Sequence, residues 1–402
     1  MMRMDAALDA ARDRAATDTG RCAACGAAGG RPLLRLDGVP TNSCVMLDTA
    51  TAARAWPRGA IALMACEACG FVANRAADPA LTEYSARYEP TQGWSPAFRH
   101  YHRGLAERLA ASVPLHGRRV VEVGCGQGEF LHLLCGLSGA TGLGFDPAVD
   151  AGRADVVETP AEAVRLVAGF FDAASARVTQ ADLLVCKMTL EHIAAPDGFA
   201  ALAAQVARNS APGMRLFVQV PDAARVLGGA FEDIYYEHVN YLTEPALRRL
   251  FARHGFAAEA VWRDYEGQYL GLLARHDPGA AAAQPTSAPT LPAALQDAHA
   301  GWAGRWQAVV QACGRIAIWG GGSKGVAFLH ALGPVAALVG QAVDINPHRQ
   351  GRFMPGSATP IVGPAALRQA APGTVVVMNA VYQEEVRAML RDLGLAPRLL
   401  AL

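Results

Sequence analysis

Residues 120–131 read VVEVGCGQGEFL: an apolar run typical of a strand, three glycines at alternate positions (Gly124, Gly126 and Gly128) and the start of a helical pattern. Glycines permit a tight turn from strand to helix and let a ligand approach the backbone closely. The next strand-like run, TGLGFD, ends about 20 residues later at Asp146, where a carboxylate would accept the two hydroxyls of a ribose. This stretch therefore predicts a nucleotide-type ligand at the edge of a parallel sheet.

Outward from this loop, residues 119–275 alternate short β-rich runs with longer helical patterns, which is typical of a sheet built from βαβ units. A second pattern of the same kind begins with a helix near residue 294 and continues through RIAIWGGG. Residues 276–293 are mostly Ala, Pro, Thr, Ser and Gly, a composition that favours a linker.

The composition limits the classes of function. Lys and Arg together number 36, as do Asp and Glu, so the formal net charge is zero and general binding to nucleic acid is disfavoured. No apolar stretch approaches the roughly 18 to 20 residues that cross a bilayer. We therefore expect a soluble, cytoplasmic protein that binds neither nucleic acid nor a membrane.

Four of the nine cysteines form two Cys-x-x-Cys pairs, Cys22 with Cys25 and Cys66 with Cys69. Two such turns can complete a tetrahedral shell of thiolates around Zn²⁺ and leave no open position, so the predicted metal is structural. The alternative is four cysteines buried by coincidence. Cys44, between the pairs, is interpreted as a core thiol.

Two further segments carry polar groups that can act on a substrate. His192 follows the strand-like run ADLLVC and lies, by topology, beside the ligand crevice of such a sheet. Residues 233–243, DIYYEHVNYLT, bring together Tyr235, Glu237 and His238; a neutral imidazole accepts protons near pH 7, and a carboxylate within reach would orient it. The alternative for this segment is an aromatic corner of the core.

A second glycine loop lies in residues 316–329, IAIWGGGSKGVAFL, with Gly320, Gly322 and Gly325 in a Gly-x-Gly-x-x-Gly pattern and Asp344 ending the next strand. This pattern alone is a dinucleotide fingerprint. Three interpretations stay open: NAD(P) binding, contact with an anion or substrate phosphate, and a purely architectural turn.

In order along the chain, these motifs resemble the three-part, zinc-containing S-adenosylmethionine-dependent C-methyltransferases, whose best-known members methylate C3 of deoxysugar nucleotides. The resemblance implies an α/β fold in which a class I methyltransferase domain is flanked by a small zinc-binding domain and a Rossmann-like C-terminal domain. The predicted division is a flexible arm (1–20), a zinc-binding domain (21–79), a methyltransferase domain (80–275), a linker (276–293) and a Rossmann-like domain (294–402).

The resemblance also implies roles for individual residues. S-adenosylmethionine would be held by Glu122, Gly124, Gly126, Gly128 and Asp146. His238 would be the general base, Glu237 its orienting group, and Tyr235 and His192 partners of the enolate or hydroxyl oxygen. The resemblance leaves Tyr236 and Tyr241 to shape the substrate site. From the clustered aromatics before the first long helical pattern, and not from the resemblance, we also expect Tyr84, Tyr88 and Trp94 to close over the cleft.

The predicted function is methylation of a carbon next to a carbonyl in a small molecule, such as a keto-deoxysugar nucleotide or a natural-product intermediate. One alternative is an O- or N-methyltransferase acting on a small metabolite. Others are an NAD-dependent oxidoreductase that uses the Gly320 loop and a non-catalytic scaffold stapled by zinc. We expect a monomer or a weak homodimer.

Overall fold

A computed structural model describes residues 20–84, 87–150, 163–279 and 295–402. The predicted arm, Gly20 excepted, and residues 280–293 of the predicted linker lie outside the described residues. The strands are β1 (Arg31–Pro40), β2 (Arg58–Ala65), β3 (Val72–Asn74), β4 (Arg119–Val123), β5 (Thr141–Asp146), β6 (Val164–Ala168), β7 (Leu183–Lys187), β8 (Arg215–Pro221), β9 (Asn240–Tyr241), β10 (Phe256–Asp264), β11 (Tyr269–His276), β12 (Ile316–Trp319), β13 (Val339–Val343), β14 (Ile361–Val362), β15 (Thr374–Val377) and β16 (Arg398–Ala401).

The α-helices are α1 (Ala50–Arg54), α2 (Pro96–Ser112), α3 (Glu129–Ser138), α4 (Ala173–Val178), α5 (Pro196–Asn209), α6 (Ala223–Leu227), α7 (Glu244–Ala252), α8 (Leu295–Cys313), α9 (Ser323–Leu332), α10 (Leu367–Ala370) and α11 (Gln383–Asp392). Short 3₁₀ turns include Leu190–His192 and Phe231–Asp233. Within the described residues, no helix combines the length and apolar character needed to cross a membrane.

The largest sheet has seven strands in the order β10-β11-β8-β7-β4-β5-β6. Strands β4 to β8 are parallel, and β11 runs antiparallel to both β8 and β10. Numbered from 1 in chain order, this gives 3-2-1-4-5-7-6, which confirms the class I methyltransferase fold that the resemblance implies. The strand order reverses between β4 and β7, so the carboxyl ends of these two strands flank the crevice where such sheets bind ligands.

A second sheet of five parallel strands follows, in the order β14-β13-β12-β15-β16. The second glycine loop begins directly after β12, at the reversal between β12 and β15. This confirms the predicted Rossmann-like architecture of the C-terminal part.

The third sheet is antiparallel, with the order β1-β2-β3-β9. Its last strand, β9, belongs to the segment predicted as part of the methyltransferase domain, yet it pairs with β3 near the N-terminus. The two predicted domains therefore share a sheet, and the exact domain boundaries stay a prediction.

Helix α2 shows how the apolar spacing places one face against the largest sheet. Ser95 caps its N-terminus by accepting from the Phe98 amide, and Phe98, Leu105 and Leu109 are buried at the three- and four-residue spacing of one helical face. The residues that precede α2 run over the crevice, where several of them line the site.

Candidate active site

The first glycine loop lies at the switch point and is shaped by three left-handed backbone positions. Gly124, Gly126 and Gly128 have φ values of 74°, 55° and 85°. A Cβ on Gly124 would lie 2.0 Å from Thr189 Oγ1, whereas a Cβ on Gly126 would meet no atom within 4 Å. The backbone at Gly126 is therefore open to the close approach of a ligand, which a cofactor loop requires.

The loop borders a cavity of about 910 Å³. Asp146 lines it at the end of β5; its carboxylate accepts from the Gly126 amide (2.9 Å) and the Ala148 amide (2.7 Å), which fixes its orientation. Glu122 lines the same cavity, and its Oε2 is buried with no hydrogen-bond partner among the described residues. Burial raises the pKa of Glu122 to about 7, because the charged form loses its hydration.

These features fit S-adenosylmethionine. Asp146 is placed to accept ribose hydroxyls, the open backbone at Gly126 admits a close contact, and the orphaned oxygen of Glu122 offers a partner to a cationic or hydrogen-bond-donating group. The cavity lies at the upper end of the range for ligand sites, about 300–1,000 Å³, so it has room for an acceptor beside the cofactor.

Two segments that carry candidate catalytic groups are tied together by hydrogen bonds to the backbone. The Val239 amide donates to the Glu191 carbonyl at 2.9 Å, and Asn240 Nδ2 donates to the Leu190 carbonyl at 3.0 Å. As a result the rings of His192 and His238 lie 5.1 Å apart, although the two residues are far apart in sequence.

His238 is buried and lies against Tyr235, with ring centroids 3.9 Å apart. Burial lowers the pKa of His238 well below its usual value, so its imidazole is neutral at pH 7. A neutral imidazole has one donor and one acceptor nitrogen, and the acceptor nitrogen can take a proton. Burial raises the pKa of Tyr235 well above 10, so its phenol stays a donor.

His192 has a defined tautomer. Its Nδ1 lies 3.0 Å from the Glu237 carbonyl oxygen and 3.1 Å from the Tyr84 hydroxyl. Because a carbonyl only accepts, the proton sits on Nδ1 and Nε2 is left as an acceptor. Burial lowers the pKa of His192 to about 4. Its acceptor nitrogen can take a hydrogen bond from a substrate hydroxyl but cannot donate one to an enolate oxygen, so the role of His192 as a partner of the enolate or hydroxyl oxygen stays a prediction. The Tyr84 hydroxyl has a proton to give.

Glu237 does not occupy the predicted position beside His238. Its carboxylate accepts from both the amide and the hydroxyl of Ser43, the latter at 2.6 Å, and the Ser43 hydroxyl lies 2.7 Å from that of Ser323. The ring of His238 packs instead against that of Tyr235. The side chain of Glu237 thus bonds to Ser43, and its backbone carbonyl bonds to His192.

A smaller chamber of about 190 Å³ continues from the first cavity and lies against the second glycine loop. Its lining shares Cys44, Met188, Tyr235, His238 and Ser323 with the larger cavity. Tyr235 and His238 thus stand at the junction of two chambers, one beside the first glycine loop and one beside the second.

The aromatic residues predicted to contact substrate divide into two groups. Tyr84 and Tyr88 line the larger cavity, and Trp94 lines the smaller chamber. Tyr236 is fully buried, packs against Gly59 and accepts from the Asp78 amide at 2.9 Å, and Tyr241 lies in strand β9. Neither Tyr236 nor Tyr241 lines either of these two chambers, so their predicted substrate role finds no support here.

Several residues of the smaller chamber were not predicted from the sequence. Cys44, interpreted as a core thiol, is buried but lines both chambers, with its Sγ 3.2 Å from Ser323 Oγ. Lys324 and Arg349 also line the smaller chamber. Lys324 lies in the second glycine loop that the sequence singled out, whereas no pattern in the sequence pointed to Cys44 or Arg349.

The four cysteines predicted to bind metal converge. Sγ atoms lie 3.6 Å apart in the pairs Cys22–Cys69 and Cys25–Cys66, and all four lie within 4.8 Å of one another. Tetrahedral thiolates at a Zn–S distance of about 2.3 Å are separated by about 3.8 Å, so the donor set fits Zn²⁺.

The two turns that carry these cysteines have matching backbone bonds. The amide of Gly26 donates to the Cys22 carbonyl, and the amide of Gly70 donates to the Cys66 carbonyl, both at 2.8 Å. Helix α7 is fastened to them, since Arg249 donates to the Cys69 carbonyl at 3.0 Å. The cysteine cluster thus contacts a helix that packs on the largest sheet.

Two family models match the chain. Residues 95–261 match a methyltransferase domain, and residues 305–395 match a C-methyltransferase C-terminal domain. No curated protein matches the chain.

Solved structures resemble the central part of the chain. They include a putative S-adenosylmethionine dependent methyltransferase from Listeria monocytogenes (12% identity, covering 44% of this chain and 99% of that one, TM-score 0.36). Another is the magnesium protoporphyrin IX methyltransferase from Synechocystis (17%, 45% and 84%, TM-score 0.35). A third is the 1,6-didemethyltoxoflavin-N1-methyltransferase from Burkholderia thailandensis (20%, 47% and 80%, TM-score 0.33).

Proposed function

The chain belongs to the S-adenosylmethionine-dependent C-methyltransferase family, and we propose that it methylates a carbon next to a carbonyl in a small molecule, with His238 as the general base. The observation that carries this proposal is the position of His238. It is neutral, packs against the Tyr235 ring, and lies at the junction of the two chambers. A methyl donor at the first glycine loop and an acceptor beside it in the larger chamber would meet at this residue.

Different residues would bind the cofactor, remove the proton and stabilise the carbonyl oxygen. When bound, S-adenosylmethionine supplies an electrophilic methyl group, and Glu122, Gly126 and Asp146 would hold it. The free ring nitrogen of His238 takes the proton from the acceptor carbon. The phenols of Tyr84 and Tyr235 donate to the carbonyl oxygen as negative charge develops there.

The apolar walls of the site keep these groups in their working protonation states. Burial depresses the pKa of both histidines and raises that of both phenols, so at neutral pH the bases are free and the donors are protonated. No external proton transfer is then needed before the acceptor binds.

We also assign structural Zn²⁺ to Cys22, Cys25, Cys66 and Cys69. The sulfur geometry supports this, and so does the direct attachment of the cysteine turns to helix α7. The metal would hold the antiparallel sheet, and with it strand β9, against the largest sheet.

The NAD-dependent alternative finds no support at the second glycine loop. Asp344, which would have to accept ribose hydroxyls, is instead ion-paired with Arg349, whose guanidinium lies 3.0 Å from its carboxylate. A Cβ on Gly322 would lie 2.9 Å from the same guanidinium, so Arg349 covers the loop where a pyrophosphate would lie.

The test is methyl transfer from S-adenosylmethionine carrying a ¹³C-methyl group to a panel of ketone-bearing small molecules, keto-deoxysugar nucleotides among them. The carbon shift of the new methyl group separates C-methyl from O- and N-methyl products. His238→Ala should abolish transfer while leaving cofactor binding intact, and His100→Ala, on the exposed face of α2, is the matched control. A dominant O- or N-methyl product, or full activity in His238→Ala, would overturn the proposal.

A further inference from the structure

The second glycine loop contacts the catalytic segment directly. Lys324 Nζ lies 2.7 Å from the carboxylate of Asp233, which is in the same segment as His238, five residues before it. Ser323, the neighbouring residue at the start of α9, bonds through Ser43 to Glu237, one residue before His238. Two successive residues of one loop therefore reach the catalytic segment at two separate points.

The contact made by Lys324 belongs to a network of ion pairs. Arg225 contacts the Asp233 carboxylate at 2.7 Å and the Glu232 carboxylate at 3.3 Å, and Lys324 Nζ also lies 3.8 Å from Glu232. Two cations thus face two carboxylates, with 18% of the Lys324 side chain, 5% of the Glu232 and 11% of the Asp233 side chains exposed. Charge-assisted bonds at this depth are stronger than surface ion pairs.

The same charges leave the loop poorly suited to phosphate. Lys324 is matched by Asp233, Arg349 is matched by Asp344, and Glu385 adds a further carboxylate to the chamber lining. A phosphate dianion would enter a chamber whose lining cations are already paired, at the cost of separating these ion pairs.

We propose that the glycine loop of the C-terminal sheet positions the catalytic segment, with Lys324 and Ser323 as positioning residues that hold His238 in place through Asp233 and Glu237. This inference rests on the proposed function for the role of His238. The glycines are needed because the loop must bring the start of α9 close to the turn Phe231–Asp233; at Gly325, a Cβ would lie 2.6 Å from the Gly320 carbonyl oxygen.

Hydrogen–deuterium exchange of the full-length, zinc-loaded protein tests this without a known acceptor. The readout is the exchange rate of peptides that contain residues 233–239. Lys324→Met should raise this rate about tenfold or more, because loss of a bond to a buried charge costs on the order of 1.5–3 kcal/mol. Lys324→Arg should restore the slow rate, and Ser323→Ala should raise it about threefold.

Arg387→Met is the matched control, because Arg387 lies on α11 beside the same sheet and pairs with Glu384 at the surface. Calorimetric titration with S-adenosylmethionine should give the same Kd in all variants, and titration with inorganic phosphate should show no binding. Unchanged exchange in both Lys324→Met and Ser323→Ala would overturn the proposal. So would phosphate binding by the unaltered protein that Lys324→Met abolishes.

Failure of the proposed function would look different. If the unaltered protein does not bind S-adenosylmethionine, the methyltransferase assignment fails, whereas the exchange rates of residues 233–239 still report whether the loop holds this segment.

Discussion

Two alanine substitutions in the first glycine loop should have opposite consequences. Gly124 and Gly126 both have left-handed backbones, but a Cβ would meet a close neighbour only at Gly124, where Thr189 Oγ1 would lie 2.0 Å away. Alanine in this conformation costs about 1–2 kcal/mol. At Gly124 the clash adds roughly 1–3 kcal/mol, the usual range for overpacking a dense site.

Gly124→Ala should therefore lower the free energy of unfolding by about 2–5 kcal/mol, and Gly126→Ala by about 1–2 kcal/mol. Gly126→Ala should weaken binding of S-adenosylmethionine more than Gly124→Ala does, because the Cβ on Gly126 would project into the open cavity rather than into protein. Urea denaturation measures the first quantity, and calorimetric titration with S-adenosylmethionine measures the second.

A third variant separates strain from clash. Adding Thr189→Ala to Gly124→Ala removes the two nearest colliding atoms, Thr189 Oγ1 and Cγ2, but keeps the backbone strain and the Thr189 Cβ at 2.7 Å. The double variant should therefore regain part of the clash energy of about 1–3 kcal/mol relative to the sum of the single effects. If the two substitutions are strictly additive, or if Gly126→Ala destabilises the fold more than Gly124→Ala does, the reasoning is refuted.

Three further outcomes follow from the site. Cys66→Ala should release the metal and destabilise residues 21–79, and zinc content measured by atomic absorption that stays at one per chain would contradict the assignment. Asp146→Asn should weaken binding of S-adenosylmethionine by about tenfold to a hundredfold, since charge-assisted bonds are worth about 1.5–3 kcal/mol; an unchanged Kd by calorimetry would argue against a ribose contact. His192, with its pKa lowered to about 4, stays neutral in the native state while the unfolded chain binds a proton from about pH 6.5 downward. The free energy of unfolding should therefore fall as the pH drops from 6.5 to 4, by about 3 kcal/mol from this residue. In urea titrations at a series of pH values, His192→Gln should flatten this dependence, and an identical slope in the variant would count against it.

The site also explains why three sheets are joined so closely. Ser43, Glu237 and Ser323 meet in one series of hydrogen bonds although they are far apart in sequence. Ser43 and Glu237 are separated by 194 residues, and Ser43 and Ser323 by 280. Because each partner is buried or half-buried, removal of one leaves a polar group without its bond, which is costly inside a protein. The catalytic segment is thus fixed only when all three sheets are docked.

Features that depend on local spacing could be predicted from the amino-acid sequence. Alternating glycines after an apolar run favour a tight turn from strand to helix, so the cofactor loop and Asp146 were predictable, and paired cysteines separated by two residues already aim their sulfurs at one point.

The neighbours that share the site depend instead on how the chain packs. Adjacent side chains of an irregular segment point in different directions, and no sequence periodicity predicts the direction of each one. Here Glu237 bonds to Ser43, Tyr236 is buried in the core, and His238 lines the cavity. Lys324 reaches Asp233, 91 residues away in sequence, only because the C-terminal sheet packs against the rest of the chain. Such docking depends on surface complementarity between whole sheets, which no local pattern encodes.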